Sequence, residues 1–478
     1  MERDYSKYFA PSLKDARKRI NKETKTIKYD LPNHLENLGK DKTYIIKTYG
    51  CQGNLADSEK MAGILEAMGY EMVDSEVHAD IIIFNTCAIR ENAESRVFGE
   101  LGRIKGLKKQ NPDLLMALCG CMPQEENVVT RITEKYPQVD IIFGTHNIHK
   151  LGEYVYDAYL SKEKVVEVFS KEGDIIEGVP SKRDHSTKAW VNIMYGCDEF
   201  CTYCIVPYTR GKERSRTPDD IINEVEELAK QGYQEVTLLG QNVNAYGKDL
   251  DIEYTFANLL DDLNKLDIPR IRFTTSHPRD LDDATIEVMG KRGNIMPHLH
   301  LPVQSGSNSV LKKMNRKYTK EEYLDKVNKL RKLIPDIAIT TDIIVGFPTE
   351  TNEDYLDTLK LVEEVGFEGA FTFIFSPREG TPAYKYEDNI DPAIKKERLL
   401  ELNKLINDGY LKGNKRFVGE TVKVLVDGTS IKNPKVLTGY TEHNKVVNFE
   451  GTEELIGKIV NVKIEKAFTW HLKGILQE

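Results

Sequence analysis

The chain has 478 residues, a formal net charge of −9, and 40% hydrophobic against 30% charged residues. That length predicts two to four domains rather than one core, the composition excludes a disordered chain, and the acidic balance argues against a general nucleic-acid binder. The opening MERDYSKYFA lacks the apolar core of a secretory signal and no run nears the roughly 18–20 apolar residues of a membrane span, so a cytoplasmic protein with no membrane partner is expected.

Residues 1–42 hold eleven Lys/Arg against seven Asp/Glu and read as a polar, mobile N-terminal extension with one short helix near 13–20. From residue 43 short β-type runs alternate with amphipathic stretches. Strands are predicted over 44–49, 81–85, 114–119 and 139–143, and helices over 56–68 and 91–110. Such alternation implies βαβ units and a parallel sheet, here a domain over 43–160. Residues 161–182 read as a linker. A second β/α series covers 183–413, with strands near 189–195, 235–239, 270–275, 298–301, 337–343 and 369–373. Six units predict an incomplete (βα)6 barrel, with its chemistry at the C-terminal ends of the strands. After a closing helix over 393–412 the period becomes alternating, which predicts a small β-barrel over 416–478. The fold class is α/β: a parallel-sheet domain, an incomplete barrel and a small all-β module.

With no export signal, the seven cysteines belong to a reducing compartment, where metal or catalytic roles are favoured over disulfides. Cys197, Cys201 and Cys204 form C-x3-C-x2-C directly after the first barrel strand. Three thiolates on a short loop hold three irons of a 4Fe-4S cube and leave the fourth open to a chelating amine and carboxylate. Zinc is the alternative, but it usually takes four protein ligands, and no fourth lies nearby. Cys51, Cys87 and Cys121 each follow a predicted strand of the first domain. Loops at one edge of a parallel sheet can converge, which makes a second three-thiolate site, with buried structural cysteines as the alternative. Cys119 falls inside its strand and reads as core.

GCDEFCTYC, with Tyr203 before the last cysteine, resembles the signature of the radical S-adenosylmethionine (SAM) superfamily. The resemblance implies reductive cleavage of SAM to a 5′-deoxyadenosyl radical, with Tyr203 beside the adenine. Most members carry a Gly-Gly-Glu-like stretch after the second strand. Here Leu239-Gly240-Gln241-Asn242 lacks the acid, and Gln241 and Asn242 are carried over on position. IIVGFPTE (343–350) resembles the ribose and adenine segment and brings Gly346, while Asp342 just before it, Ser276 and Gln304 complete the expected SAM contacts.

KTYGCQGN, FNTCAIRENAESRVFGELG, CGCMPQ, YGCDEFCTYCIVPYTRGKERSR, LLGQNVNAYG, RFTTSHP, HLHLPVQSGS, TTDIIVGFPTET and VVNFEG resemble, in order, the methylthiotransferase family over 43–478. The family implies two 4Fe-4S clusters: one on Cys197, Cys201 and Cys204 for SAM, the other an auxiliary cluster on Cys51, Cys87 and Cys121 that holds sulfur. It also implies a second SAM as methyl donor, a reducing electron donor and a sulfur source. Carbon 2 of adenine has neither an acidic proton nor a leaving group, so radical chemistry is the route by which sulfur enters there. Of the family's branches, which act on tRNA dimethylallyladenosine, tRNA threonylcarbamoyladenosine or a ribosomal-protein aspartate, NTCAIRENA, GQNVNAYG, FTTSHP and VVNFEG look most like the first. The expected product is the 2-methylthio derivative of the N6-(dimethylallyl)adenosine beside the anticodon.

The last module resembles the TRAM domain, which implies RNA binding. Lys415, Arg416, Lys423, Lys432 and Lys435 are candidate contacts, and Phe449 is expected in the core. Arg210, Lys212, Arg214 and Arg216, four cations against one acid after the cysteine loop, are expected to meet tRNA phosphates, a solvated loop being the alternative. His277, His298 and His300 are expected to line or pack the barrel. A monomer is the default. The contrasting reading, an iron–sulfur carrier or RNA-binding protein without turnover, has no need of a six-strand barrel and its cavity.

Overall fold

The apolar runs TYIIKTY, IIIFNT, LMALCG and IIF become the centre of a parallel sheet: β1 (Thr43–Tyr49), β2 (Ile81–Thr86), β3 (Leu115–Gly120) and β4 (Ile141–Phe143). The computed structural model describes residues 13–18, 24–88, 91–169, 173–430 and 433–477. It divides into two units, one of Met1–Asp184, Met194–Asp198 and Cys204–Arg216, the other of His185–Ile193, Glu199–Tyr203 and Thr217–Glu478.

In the first unit the strands lie in the order Glu71–Met72, β1, β2, β3, β4 and β5 (Val165–Glu167), every pair parallel. β2 and β3 are buried along their whole length, as strands of a doubly covered parallel sheet are. Ile81 and Ile83 pack with Met61, Ile64 and Leu65 of α1 (Gln52–Ala67) on one face. Ile82 and Phe84 pack with Val97, Leu101 and Ile104 of the helix Glu91–Gln110 on the other.

Two expectations are corrected here. Residues 24–42 are not an extension: Thr26–Lys28 pairs in parallel with Ile175–Glu177, and Tyr29, Leu31, Leu35 and Leu38 join the core beside α1. Their apolar residues are too sparse to show a period, and their partners lie far along the chain. The stretch read as a linker supplies β5 and Ile175–Glu177, three-residue strands too short to show alternation. The expected short helix is present as Leu13–Lys18, and residues 1–12 and 19–23 lie outside the described ones.

The second unit carries the expected six parallel strands in two arcs. β6 (Lys188–Asn192), β7 (Glu235–Leu239) and β8 (Arg270–Phe273) form one, and β9 (His298–His300), β10 (Ala338–Val345) and β11 (Ala370–Ile374) the other. Helices between them start where the sequence supplies caps. Thr217 accepts from Asp220 N ahead of Pro218, and Thr319 and Glu322 form a capping box. The closing helix α2 (Pro392–Lys415) leads into a closed five-stranded barrel: β12 (Thr421–Ser430), β13 (Asn433–Thr441), β14 (Val446–Glu450), β15 (Ile459–Ala467) and β16 (Leu472–Leu476). Its core holds Val424, Leu437, Val447, Phe449 and Val462. The small barrel docks where the first arc begins. Arg270 donates to Tyr440 O (2.8 Å) and Lys423 O (3.0 Å), and Arg272 to Thr441 O (2.8 Å) and Glu442 O (3.0 Å).

Candidate functional site

β1, β2 and β3 are adjacent and parallel, so their C-terminal ends share one edge, and a cysteine follows each: Cys51 two residues after β1, Cys87 and Cys121 directly after β2 and β3. Backbone bonds tie the three loops together. Cys87 N donates to Tyr49 O (3.0 Å) and Cys121 N to Thr86 O (2.9 Å). Gly120 has φ +98°, and a Cβ there would stand 2.2 Å from Thr86 O, so the turn that delivers Cys121 requires glycine. Cys51 caps α1, with Asn54 Oδ1 3.4 Å from its backbone nitrogen. Asn54 donates to Asn85 Oδ1 (3.0 Å), and Asn85 donates back to Asn54 O (2.7 Å) and to Ser58 Oγ (2.9 Å). Both amides are fully buried, and each satisfies the other.

The Cys51 thiol is drawn well below its ordinary value, first by a hydrogen bond with Cys87, then, against burial, by Arg210 and the amides of Asn54 and Gly53. Burial pushes Cys121 up, with Arg210 opposing. Cys119 sits in the core against Met61, as expected. Three sulfur donors on loops tied together at one sheet edge, one of them at the N-terminus of α1, suit a three-thiolate iron–sulfur site. The neighbouring acid, Asp57, is already paired with Arg210 at 2.7 Å and supplies no fourth ligand for zinc.

The basic segment after Cys204 overturns an expectation. Arg210, Lys212, Arg214 and Arg216 are all buried, between 5% and 7% exposed. Arg210 Nε lies 3.2 Å from Cys121 Sγ. Arg214 donates to Gly173 O (2.7 Å) and Arg210 O (3.1 Å). Arg216 forms a two-pronged pair with Glu177 (2.6 and 2.7 Å). Arg210, Arg214 and Arg216 thus have inward partners, Asp57 and Glu177 among them, far away in sequence, so counting local charge left the segment looking unpaired. Cys197, in the same unit, donates its backbone N–H to Gly211 O (3.1 Å).

In the second unit the expected SAM residues fall at C-terminal strand ends: Gln241 and Asn242 after β7, Ser276 after β8, Gln304 after β9, Asp342 within β10 and Gly346 just beyond it. Asn242 donates to Asp280 Oδ2 (2.7 Å), and Ser276 Oγ is buried without a hydrogen-bond partner among the described residues. Gln304 N donates to Asp342 O (2.8 Å) and Gln304 O accepts from Ile344 N (2.9 Å), which holds Gln304 at φ +69°. Thr275 and Phe200 also have positive φ, 68° and 47°, and Asn315 Nδ2 braces Phe200 O (2.9 Å). Backbone strain of this kind clusters at functional sites. Gly346 has φ +68°, and its N–H donates to Glu350 Oε1 (2.9 Å), itself paired with Arg398 (2.7 Å). Tyr203 packs on Val310, Met314, Phe347, Phe375 and Ala383.

Glu199, Asp280 and Arg316, which surround the expected barrel residue His277, escaped sequence reasoning. Glu199, His277 and Asp280 place donor atoms within 4.8 Å of one another, but Arg279 pairs with both acids and Lys248 with Asp280, so the cluster's charge is already answered. Burial, then Arg316, keeps His277 neutral. Arg316 Nη1 lies 3.4 Å from Cys201 Sγ. The acidic pair Asp198-Glu199 inside CDEFC was the visible signal. His298 and His300 both reach Thr340 Oγ1 (3.4 and 3.0 Å), and His300 also faces Asp342 (3.3 Å), on the inner side of the second arc.

On the small barrel Lys415, Lys423 and Lys435 are exposed and Phe449 is core, while Arg416 pairs with Glu368 (3.0 Å). Lys432 lies outside the described residues. Among the described residues no helix is long and apolar enough to cross a membrane.

Residues 43–144 match uncharacterized protein family UPF0004, residues 191–362 the Radical SAM superfamily and residues 415–476 the TRAM domain. The chain is 59% identical over 480 residues to the tRNA-2-methylthio-N(6)-dimethylallyladenosine synthase of Bacillus licheniformis, covering 99% of this chain and 94% of that one. It is 60% identical over 481 residues to the protein of the same name from Bacillus subtilis, with the same two coverages, 99% and 94%. Among solved structures, the radical S-adenosylmethionine methyltransferase TsrM of Kitasatospora setae, with cobalamin and a 4Fe-4S cluster bound, aligns with a TM-score of 0.54 at 15% identity, over 72% of this chain and 77% of that one. At that identity the likeness concerns the fold alone.

Proposed function

The chain belongs to the tRNA-2-methylthio-N(6)-dimethylallyladenosine synthase family, and from that premise we propose how its own residues divide the work. It is a radical SAM methylthiotransferase that converts N6-(dimethylallyl)adenosine in tRNA to the 2-methylthio derivative, with two 4Fe-4S clusters and SAM as cofactors. When bound, these groups supply one-electron reduction, removal of the hydrogen from adenine carbon 2, and the sulfur and methyl group that replace it.

We assign the SAM-side cluster to Cys197, Cys201 and Cys204 and the auxiliary cluster to Cys51, Cys87 and Cys121. The observation that carries the second assignment is the shared edge: three adjacent parallel strands each end in a cysteine, with Cys87 N and Cys121 N bonded to the preceding strand. Tyr203, Gln241, Asn242, Ser276, Gln304, Asp342 and Gly346 are assigned to SAM. The buried Ser276 hydroxyl and the left-handed backbone at Gln304 and Gly346 support a ligand at these strand ends. Lys415, Lys423 and Lys435 are assigned to tRNA phosphates.

A reducing electron donor and a sulfur source are required partners, since each turnover consumes both. We place the protein in the cytoplasm as a monomer. The test is mass spectrometry of tRNA nucleosides with and without the gene. Loss of 2-methylthio-dimethylallyladenosine, with the unthiolated base accumulating, is expected. Persistence of that nucleoside, with loss of methylthio from the threonylcarbamoyl analogue, would overturn the substrate and keep the chemistry.

A further inference from the structure

We propose that Arg210 is a positioning residue for the auxiliary cluster: seated on Asp57, its guanidinium hydrogen-bonds the Cys121 sulfur and sets how tightly the cluster is held and at what potential it is reduced. This rests on the assignment of Cys51, Cys87 and Cys121 made above.

The geometry is specific. Arg210 Nε is 3.2 Å from Cys121 Sγ, while Nη2 is 2.7 Å from Asp57 Oδ2. The same Nη2 lies at the start of α1, where a Cβ built on Gly53 would stand 3.9 Å from it and 3.6 Å from Cys51 Sγ. One planar fork therefore runs from the Cys121 loop to the Cys51 loop, a reach that a point-charge lysine lacks. The residue is 7% exposed and permanently charged, and such a charge is tolerated in the interior only when paired. Asp57 supplies that pairing charge, and Cys121 Sγ takes the bond from Nε.

The backbone holds the group in place before any ligand arrives. Arg210 N donates to Val206 O (2.8 Å), Arg210 O accepts from Arg214 Nη2 (3.1 Å), and Thr209 O accepts from Thr145 Oγ1 (2.7 Å). Groups that hydrogen-bond ligand atoms in this way control both metal affinity and potential. Arg210 also lies six residues after Cys204, in the same unit, so the segment leaving one cysteine loop ends on a sulfur of another.

The test uses the full chain with Cys197, Cys201 and Cys204 replaced by Ala, so that one cluster site remains, reconstituted anaerobically with iron and sulfide. Arg210→Met, Arg210→Lys and Asp57→Asn are compared in that background by iron release to a chelator and by redox titration followed by EPR. Arg210→Met is expected to release iron about 10-fold faster and to lower the reduction potential, because a positive charge that stabilised the reduced cluster is gone. Arg210→Lys restores much of the potential but not the retention. Asp57→Asn removes a negative charge and shifts the potential upward. The opposite signs separate this role from a structural one, since a loosened fold would not move the two in opposite directions. Potentials that stay put, or move together, overturn the proposal. If Arg210→Met does not fold, the lysine and Asp57→Asn variants decide it alone. A parent chain that takes up no cluster overturns the cysteine assignment, and this inference with it.

Discussion

Arg316 holds Cys201 as Arg210 holds Cys121. Its Nη1 lies 3.4 Å from the sulfur, its Nε donates to the Tyr318 hydroxyl (3.0 Å) and its Nη2 to Pro302 O (3.0 Å). All three nitrogens have partners, so the buried guanidinium is fixed in orientation. Each unit thus supplies one buried arginine to one cysteine sulfur.

Removing this arginine should loosen the SAM-side cluster. In a chain whose Cys51, Cys87 and Cys121 are replaced by Ala, Arg316→Met should raise iron loss to a chelator about 10-fold. It should also remove the guanidinium donor from the Tyr318 hydroxyl and leave Pro302 O with only the longer bond from that hydroxyl (3.4 Å). Unchanged iron retention in a folded variant would make Arg316 a structural residue only.

Breaking the auxiliary set should separate the two halves of the reaction. With Cys51 replaced by Ala the chain should still cleave SAM to 5′-deoxyadenosine under reducing conditions, because Cys197, Cys201 and Cys204 are untouched. Methylthiolated tRNA should fall below detection. Product formation at the parent rate would remove Cys51 from the sulfur-delivering site.

What was legible in the sequence followed from period and spacing. β2 and β3 are largely apolar runs, β1 is a β-type run around Tyr44–Ile46, and a cysteine follows each, so their adjacency, and with it the shared edge, followed from βαβ logic. The six barrel strands and the alternating terminal module were legible for the same reason. What stayed hidden depended on pairs distant in sequence. Thr26–Lys28 finds Ile175–Glu177, Arg216 finds Glu177, and Arg210 finds Asp57 and Cys121. No local pattern announces such partners, and four cations in seven residues look the same whether they face phosphates or buried acids. Arg316 was invisible for a similar reason, lying 115 residues from the cysteine it touches.

That contrast gives a test by salt. Lys423 and Lys435 are exposed on the small barrel, whereas Arg216 is buried against Glu177. Replacing both lysines by Gln should weaken tRNA binding and flatten its log–log salt dependence by about 0.7–0.9 per lost phosphate contact. Arg216→Gln should leave that slope alone and instead lower stability by about 1–3 kcal/mol, because it takes the charged partner from a partly buried carboxylate. Filter binding across a salt series and urea denaturation read the two effects separately. A flattened slope in Arg216→Gln would return the basic segment to the RNA interface.

The docking of the small barrel rests on Arg270, which is almost fully buried and donates to two of its backbone carbonyls, Tyr440 O and Lys423 O. Arg272 beside it carries a second pair of such bonds and the ion pair to Glu235 (2.8 Å). In Arg270→Met the apolar stem is kept, but both carbonyls lose a charged donor, at about 1–3 kcal/mol for each buried group left unpaired. Arg272 and Glu235 still neutralise each other, so the first arc should survive. The expected outcome is a terminal barrel that unfolds ahead of the rest, seen as a split transition in urea, with weaker tRNA binding and SAM cleavage retained. A single transition at the parent midpoint would mean that Arg272 and the ion pairs Lys188–Asp427, His443–Asp336 and Lys445–Glu368 hold the barrel without Arg270.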